Sequence, residues 1–117
     1  MIDATRSAVS AMKAFEKKLN VAANNVANLN TDGYKSRRAT LSEDQNGGVK
    51  AIVDEVDTPG IPKNTVQNGE IVETESSNVD LVEEFSQMMT TKAAYKANAK
   101  TVQAQDQMLG ALFDAFS

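Results

Sequence analysis

Leu81, Met88, Tyr95, Val102, Leu109 and Phe116 recur at intervals of seven, and Phe85, Ala99 and Phe113 hold the alternate core position of the same register. A seven-residue apolar repeat over nearly 40 residues demands a long helix that lays one stripe against a partner helix. Lys92 and Asp106 interrupt the alternate position, so the seam is imperfect. The first 30 residues fit a matching register: Thr5, Met12, Leu19 and Val26 at one position, Ala8, Phe15, Ala22 and Leu29 at the other, with Val9 and Ala23 widening the stripe. This predicts an amphipathic helix of about 28 residues, close to 42 Å long. Thr31-Asp32-Gly33 supplies the turn that stops it. Before the second helix, Ser77 followed by Asp80 reads as a capping-box variant, and Asp80, Glu83 and Glu84 place negative charge where the helix dipole favours it.

Residues 36–76 have a different character. Val49–Val56 and Glu70–Glu73 are β-prone, and Asn46-Gly47-Gly48, Thr58-Pro59-Gly60, Ile61-Pro62 and Asn68-Gly69 punctuate them as turns. With few large apolar side chains, this segment cannot be an independent domain. The expected organisation is an N-terminal helix and motif over 1–35, a short variable β or loop segment over 36–76, and a C-terminal helix over 77–117. The expected fold class is mainly α: long N- and C-terminal helices pairing as an antiparallel coiled-coil hairpin or bundle, with a small irregular β or extended middle segment. Trp is absent, aromatics are 5% of the chain, and much of the apolar count is Ala. A dense core of large side chains is not expected from such a composition.

Composition also narrows the chemistry. With no Cys and no His, the chain lacks thiolate and imidazole metal ligands, disulfides, nucleophilic thiols and imidazole bases. Glu83-Glu84 and Glu73 with Glu75 are paired carboxylates, but no nucleophile or oxyanion donor accompanies them. The glycines form no phosphate-binding loop. We therefore expect no catalytic residues, cofactor or metal. Residues 1–38 carry seven Lys/Arg against three Asp/Glu, residues 39–78 two against eight, and residues 79–117 three against five. A basic arm followed by acidic segments favours pairing within or between chains over nucleic-acid binding. Lys35, Arg37 and Arg38 are the natural partners of Glu43, Asp54, Glu55, Asp57, Glu70, Glu73 and Glu75. The N-terminus lacks the basic and apolar regions of a cleavable secretory signal. No run approaches the ~18 apolar residues of a membrane span.

Near the end of the first helical pattern stands ANNVANLNTDGYK, residues 23–35, unusually rich in Asn for a helix end. It resembles the signature of bacterial flagellar axial proteins, the rod, hook and hook-associated proteins, with the form ANNxANxNTxGYK. Asn24, Asn25, Ala27, Asn28, Asn30, Thr31, Gly33, Tyr34 and Lys35 match it, while Asp32 stands where that family often has Pro. SNVDLVEEF (77–85), including Asn78 and Asp80, and AAYKANAKTVQAQDQML (93–109) are similar to the family's closing helix. Hook-type and distal-rod relatives carry large β domains between these motifs, so the short middle resembles the proximal-rod members. The resemblance implies a structural subunit of the basal-body rod, passed unfolded through the flagellar type III export apparatus without a cleaved signal. Its partners would be itself and other rod proteins, with no nucleic acid and no membrane insertion. A coiled-coil adaptor or export-linked binding module of the same ancestry is the alternative. Under either reading the helical seam comprises Met12, Phe15, Leu19, Val26, Leu29, Leu81, Phe85, Met88, Tyr95, Val102, Leu109, Phe113 and Phe116. Asn20, Asn24 and Asn28, four residues apart, form an amide stripe suited to hydrogen bonding between subunits, or else to solvation and capping of the helix end.

Overall fold

The computed structural model describes residues 2–117, with the backbone alone for Ile2; Met1, the first residue of the expected N-terminal segment, lies outside the described residues. Six elements follow in order: α1 (Ile2–Ala27), β1 (Arg37–Glu43), β2 (Val49–Glu55), β3 (Pro62–Gln67), β4 (Glu70–Glu75) and α2 (Leu81–Phe116). α1 covers 26 residues and α2 covers 36, about 39 Å and 54 Å of helix at the standard rise.

The middle segment is regular. β1 and β2 pair antiparallel, as do β3 and β4, in two separate two-stranded sheets. In the first, Arg37 lies opposite Glu55 and Arg38 opposite Asp54, but neither pair forms an ion pair among the described residues, and of the basic cluster Lys35 alone pairs with the middle acids, through Glu75. The turn of this hairpin closes with Gly47 donating to the Asp44 carbonyl at 3.0 Å and Asp44 to the Gly48 carbonyl at 3.1 Å. Gly48, at φ +90°, lies so close over Ser10 of α1 that a Cβ there would sit inside the Ser10 hydroxyl. The same hydroxyl accepts from the Val49 amide at 3.1 Å, fixing the hairpin to the helix. In the second hairpin Asn68 and Gly69 have φ +54° and +85°, the two positive values of a type I′ turn.

α1 is the centre of the packing. It contacts α2, β1 and β2, whereas the β3–β4 hairpin packs against no other helix or strand among the described residues. The deepest side chains are small: Ala8, Ala14, Ala22 and Ala39 form the apolar core, joined by buried Asn25, Ser36 and Thr91. Side-chain bonds join the helices near Asn25 and Glu84 at one end and near Thr5 and Gln105 at the other. Beyond Gln105, α2 continues with every residue exposed except Leu109, which is half-buried. The radius of gyration is 20.8 Å, against about 13 Å for a compact domain of this length, and the extents are 80 × 25 × 20 Å.

These observations overturn the expected fold class. The molecule is an extended α and β structure with two regular hairpins, and it is not a mainly α coiled-coil hairpin with an irregular middle. β1 and β3 have unremarkable sequences, RRATLSE and PKNTVQ, and become strands because β2 and β4 pair with them. The interior is also too poor in large side chains to form a closed seam. Two boundaries move as well. α1 ends at Ala27, with residues 28–30 in turn, and the N-cap of α2 is Asp80, three residues later than the Ser77 cap expected. The Asp80 carboxylate accepts from the Val82 amide at 3.0 Å and the Glu83 amide at 3.3 Å. Residues 76–80 lie outside the helix and Asp80 itself is extended, at φ −102° and ψ 112°, so the first free helical amides fall within reach of the Asp80 carboxylate and not of Ser77.

Candidate functional site: the junction of the two motifs

The end of α1 is tightened by its own asparagines. The Asn28 amide donates to the carbonyls of both Asn24 and Asn25, at 3.2 and 3.1 Å, and its side chain donates to the Asn24 carbonyl at 2.9 Å. Thr31 closes the turn, its hydroxyl donating to Asn28 Oδ1 at 3.1 Å and its amide to the Asn28 carbonyl at 3.1 Å. Gly33, at φ +72°, then reverses the chain, and its amide donates to the Glu75 carbonyl at 2.8 Å. The reversal brings Tyr34 to Arg37 back over α1.

Asn25 receives them. It is fully buried, and all four of its hydrogen-bonding positions are used. Its Nδ2 donates to the Arg37 carbonyl at 2.7 Å and to Glu84 Oε1 at 3.0 Å. Its Oδ1 accepts from the Arg37 amide at 2.9 Å and from the Tyr34 hydroxyl at 3.1 Å. The side-chain amide thus meets both backbone groups of Arg37 as a neighbouring strand would, covering the edge of β1 that faces away from β2.

Asn78 plays the corresponding part from the second motif. At the next step of the ladder the Val56 amide donates to the Ser36 carbonyl at 2.8 Å, but the return bond is replaced by the Asn78 side chain. Its Oδ1 accepts from the Ser36 amide at 2.6 Å, and its Nδ2 donates to the Val56 carbonyl at 2.8 Å and the Thr58 carbonyl at 2.9 Å. One asparagine from each motif therefore clamps the chain at Ser36 and Arg37, from two directions. Lys35 adds a bond to the Thr58 carbonyl at 3.0 Å and an ion pair with Glu75 at 3.2 Å. Arg38 pairs with Glu83, and Asp32 with Lys63 at 2.6 Å.

Glu84 titrates above the ordinary carboxylate range. Burial is the main cause; the Asn25 hydrogen bond opposes it, Glu83 raises it further, Arg38 lowers it and Asp80 raises it again. The space between Ala22, Ala39, Arg38 and Glu83 is about 20 Å³, enough for one water. No three acidic side chains among the described residues gather where they could hold a metal ion. No helix among the described residues is long and apolar enough to cross a membrane. Chemically, the junction offers a saturated polar clamp rather than a reactive group.

The expected motif residues divide into two sets. Asn25, Asn28, Thr31, Gly33, Tyr34, Lys35, Asn78 and Asp80 are engaged within the chain, through the bonds described above. Asn20, Asn24 and Asn30 are exposed and make no side-chain hydrogen bond among the described residues. Of the expected seam, Met12, Phe15, Leu19, Val26, Leu29, Met88, Tyr95, Val102 and Leu109 are half-buried, while Leu81, Phe85, Phe113 and Phe116 are exposed. Sequence reasoning did not single out Ser36 or Glu84 as members of the clamp. The signal for Glu84 was weak: a carboxylate in the first turn of a helix normally faces water.

Both ends of the chain match described families. Residues 6–35 match "Flagella basal body rod protein", and residues 73–115 match "Flagellar basal body rod FlgEFG protein C-terminal". A 43-residue stretch is 44% identical to the flagellar basal-body rod protein FlgG of Bacillus subtilis (strain 168). That match spans 37% of this chain and 16% of the relative, so only a small part of the relative's length has a counterpart here. The chain belongs to the flagellar basal-body rod family, whose members are structural proteins rather than enzymes. The clamp thus joins residues of one matched segment, Asn25 and Tyr34, to residues of the other, Asn78 and Glu84.

Proposed function

We propose that the chain is a structural subunit of the flagellar basal-body rod, of the proximal kind with a short middle segment. Its terminal helices pack, coiled-coil fashion, against those of copies of itself and of other rod proteins to build a helical axial structure. It reaches the periplasm-spanning rod through the flagellar type III export apparatus and catalyses no step. One observation carries this reading: beyond Gln105, which bonds to Thr5 of α1, α2 runs on with Leu112, Phe113 and Phe116 exposed at 45%, 71% and 84%. Apolar surface on that scale at one end of a helix is expected to be covered when subunits meet. The free amides of Asn20 and Asn24 lie on the same helix as the clamp and are available to set register between subunits.

Far-UV circular dichroism and light scattering across a concentration series test the proposal. Helix content and particle size should rise together. A constant helix content at one small mass would instead favour the non-polymerising adaptor. Asn24→Ala should weaken assembly without loss of helix, whereas Asn28→Ala should also loosen the end of α1. Unchanged assembly in the Asn24 variant would remove the register role.

A further inference from the structure

Two features of the surface are unpartnered and complementary. The first is the β3–β4 hairpin. Its base is tied to the junction by Lys63 with Asp32 and Glu75 with Lys35, but toward the turn nothing holds it. There Val66 and Ile71 lie opposite each other, 72% and 74% exposed. Glu73 shares their face, two residues from Ile71, and Glu70 begins the strand; neither acid has an ion-pair partner among the described residues. An isolated two-stranded hairpin is marginal in water, and this one exposes its best apolar pair.

The second feature is an open cleft of about 330 Å³ between α1 and β2. Lys13, Lys17 and Lys50 line it around a floor of Ala14, Val49 and Ala51, with Asp44 as the one opposing charge. None of the three lysines has an ion pair among the described residues; Lys17 only approaches the Ala51 carbonyl, at 3.5 Å.

We infer that the β3–β4 hairpin of one subunit docks into the Lys13–Lys17–Lys50 cleft of a second copy of this chain. Ile71 and Val66 cover the small apolar floor while Glu73, on their face, meets the lysines and Glu70 flanks the contact from the turn end. The contact is head-to-tail, since the hairpin and the cleft are different surfaces, and so each copy added leaves one hairpin and one cleft for further copies, as in a filament or a ring. Its charges steer the encounter and reject like-charged alternatives. The inference rests on the rod-subunit reading and names one of the surfaces through which such a subunit would add.

A charge-swap experiment on the full chain tests it. Glu70→Lys with Glu73→Lys forms one variant, and Lys13→Glu with Lys17→Glu the other; all four positions are exposed, and circular dichroism confirms that each variant is folded. Self-association followed by sedimentation velocity should fall about tenfold or more in each variant alone and return when the two are mixed, and that of the unaltered chain should weaken with added salt. Association unchanged in both variants would overturn the docking contact and leave the rod-subunit reading standing. Loss in both without recovery on mixing would overturn direct pairing of these two surfaces. An unaltered chain that never associates would overturn the subunit reading, and the contact with it.

Discussion

Asn25 illustrates what a single amide contributes when all of its positions are bonded. Truncation to Ala would leave the Arg37 amide and carbonyl and the Tyr34 hydroxyl without their partner in a buried place. We expect a loss of roughly 2–4 kcal/mol in urea unfolding. Tyr34→Phe removes a single donor to Asn25 Oδ1, which keeps its bond from Arg37, and should cost only about 1 kcal/mol. Glu84 gives a prediction in pH. Its folded value is raised, so the folded state holds a proton that the unfolded chain releases. Stability should therefore decline as pH rises from the ordinary carboxylate range through the raised value, with the penalty fully present above it. Glu84→Gln retains an oxygen for the Asn25 bond and should be the more stable protein at neutral pH, with a flatter profile in thermal melts from pH 4 upward. A steeper profile in the variant would contradict the sign.

Among the elements, the β1–β2 hairpin depends on a close approach that only glycine permits. Gly48→Ala introduces a Cβ against Ser10 and strains a φ of +90°, so it should destabilise by about 1–3 kcal/mol. Hydrogen exchange should show the loss first at the Val49 amide, whose acceptor is the Ser10 hydroxyl. The two helices were legible in the sequence because apolar periodicity is a local property, and the Asn68-Gly69 turn because its chemistry is carried by two residues. β2 and β4 were also visible, since Val49, Ile52, Val53, Ile71 and Val72 favour strands by themselves. β1 and β3 were hidden because a strand of polar residues is defined by its partner. The clamp was only partly legible. Five asparagines between positions 20 and 30 have identical chemistry, and Asn25 is the buried one because β1 returns over that turn of α1. No pattern along the chain encodes that return path.

At the scale of the whole molecule, the interior is built from alanine, asparagine, serine and threonine. Its surface of 8317 Å² exceeds the roughly 6,200 Å² of a compact monomer of this mass. The isolated subunit thus withdraws unusually little apolar area from water when it folds. Because exposure of apolar surface is what raises heat capacity on unfolding, calorimetry should find a value below the ~12–15 cal/mol/K per residue of ordinary domains. A normal value would mean that large apolar groups are buried in solution after all. A small heat-capacity change flattens the stability curve, so the lone subunit would differ little in stability between cold and warm conditions. Under the proposed assembly, in which the phenylalanines at the end of α2 become covered, association would carry the pronounced temperature dependence instead, and chilling should loosen the polymer before it affects the subunit.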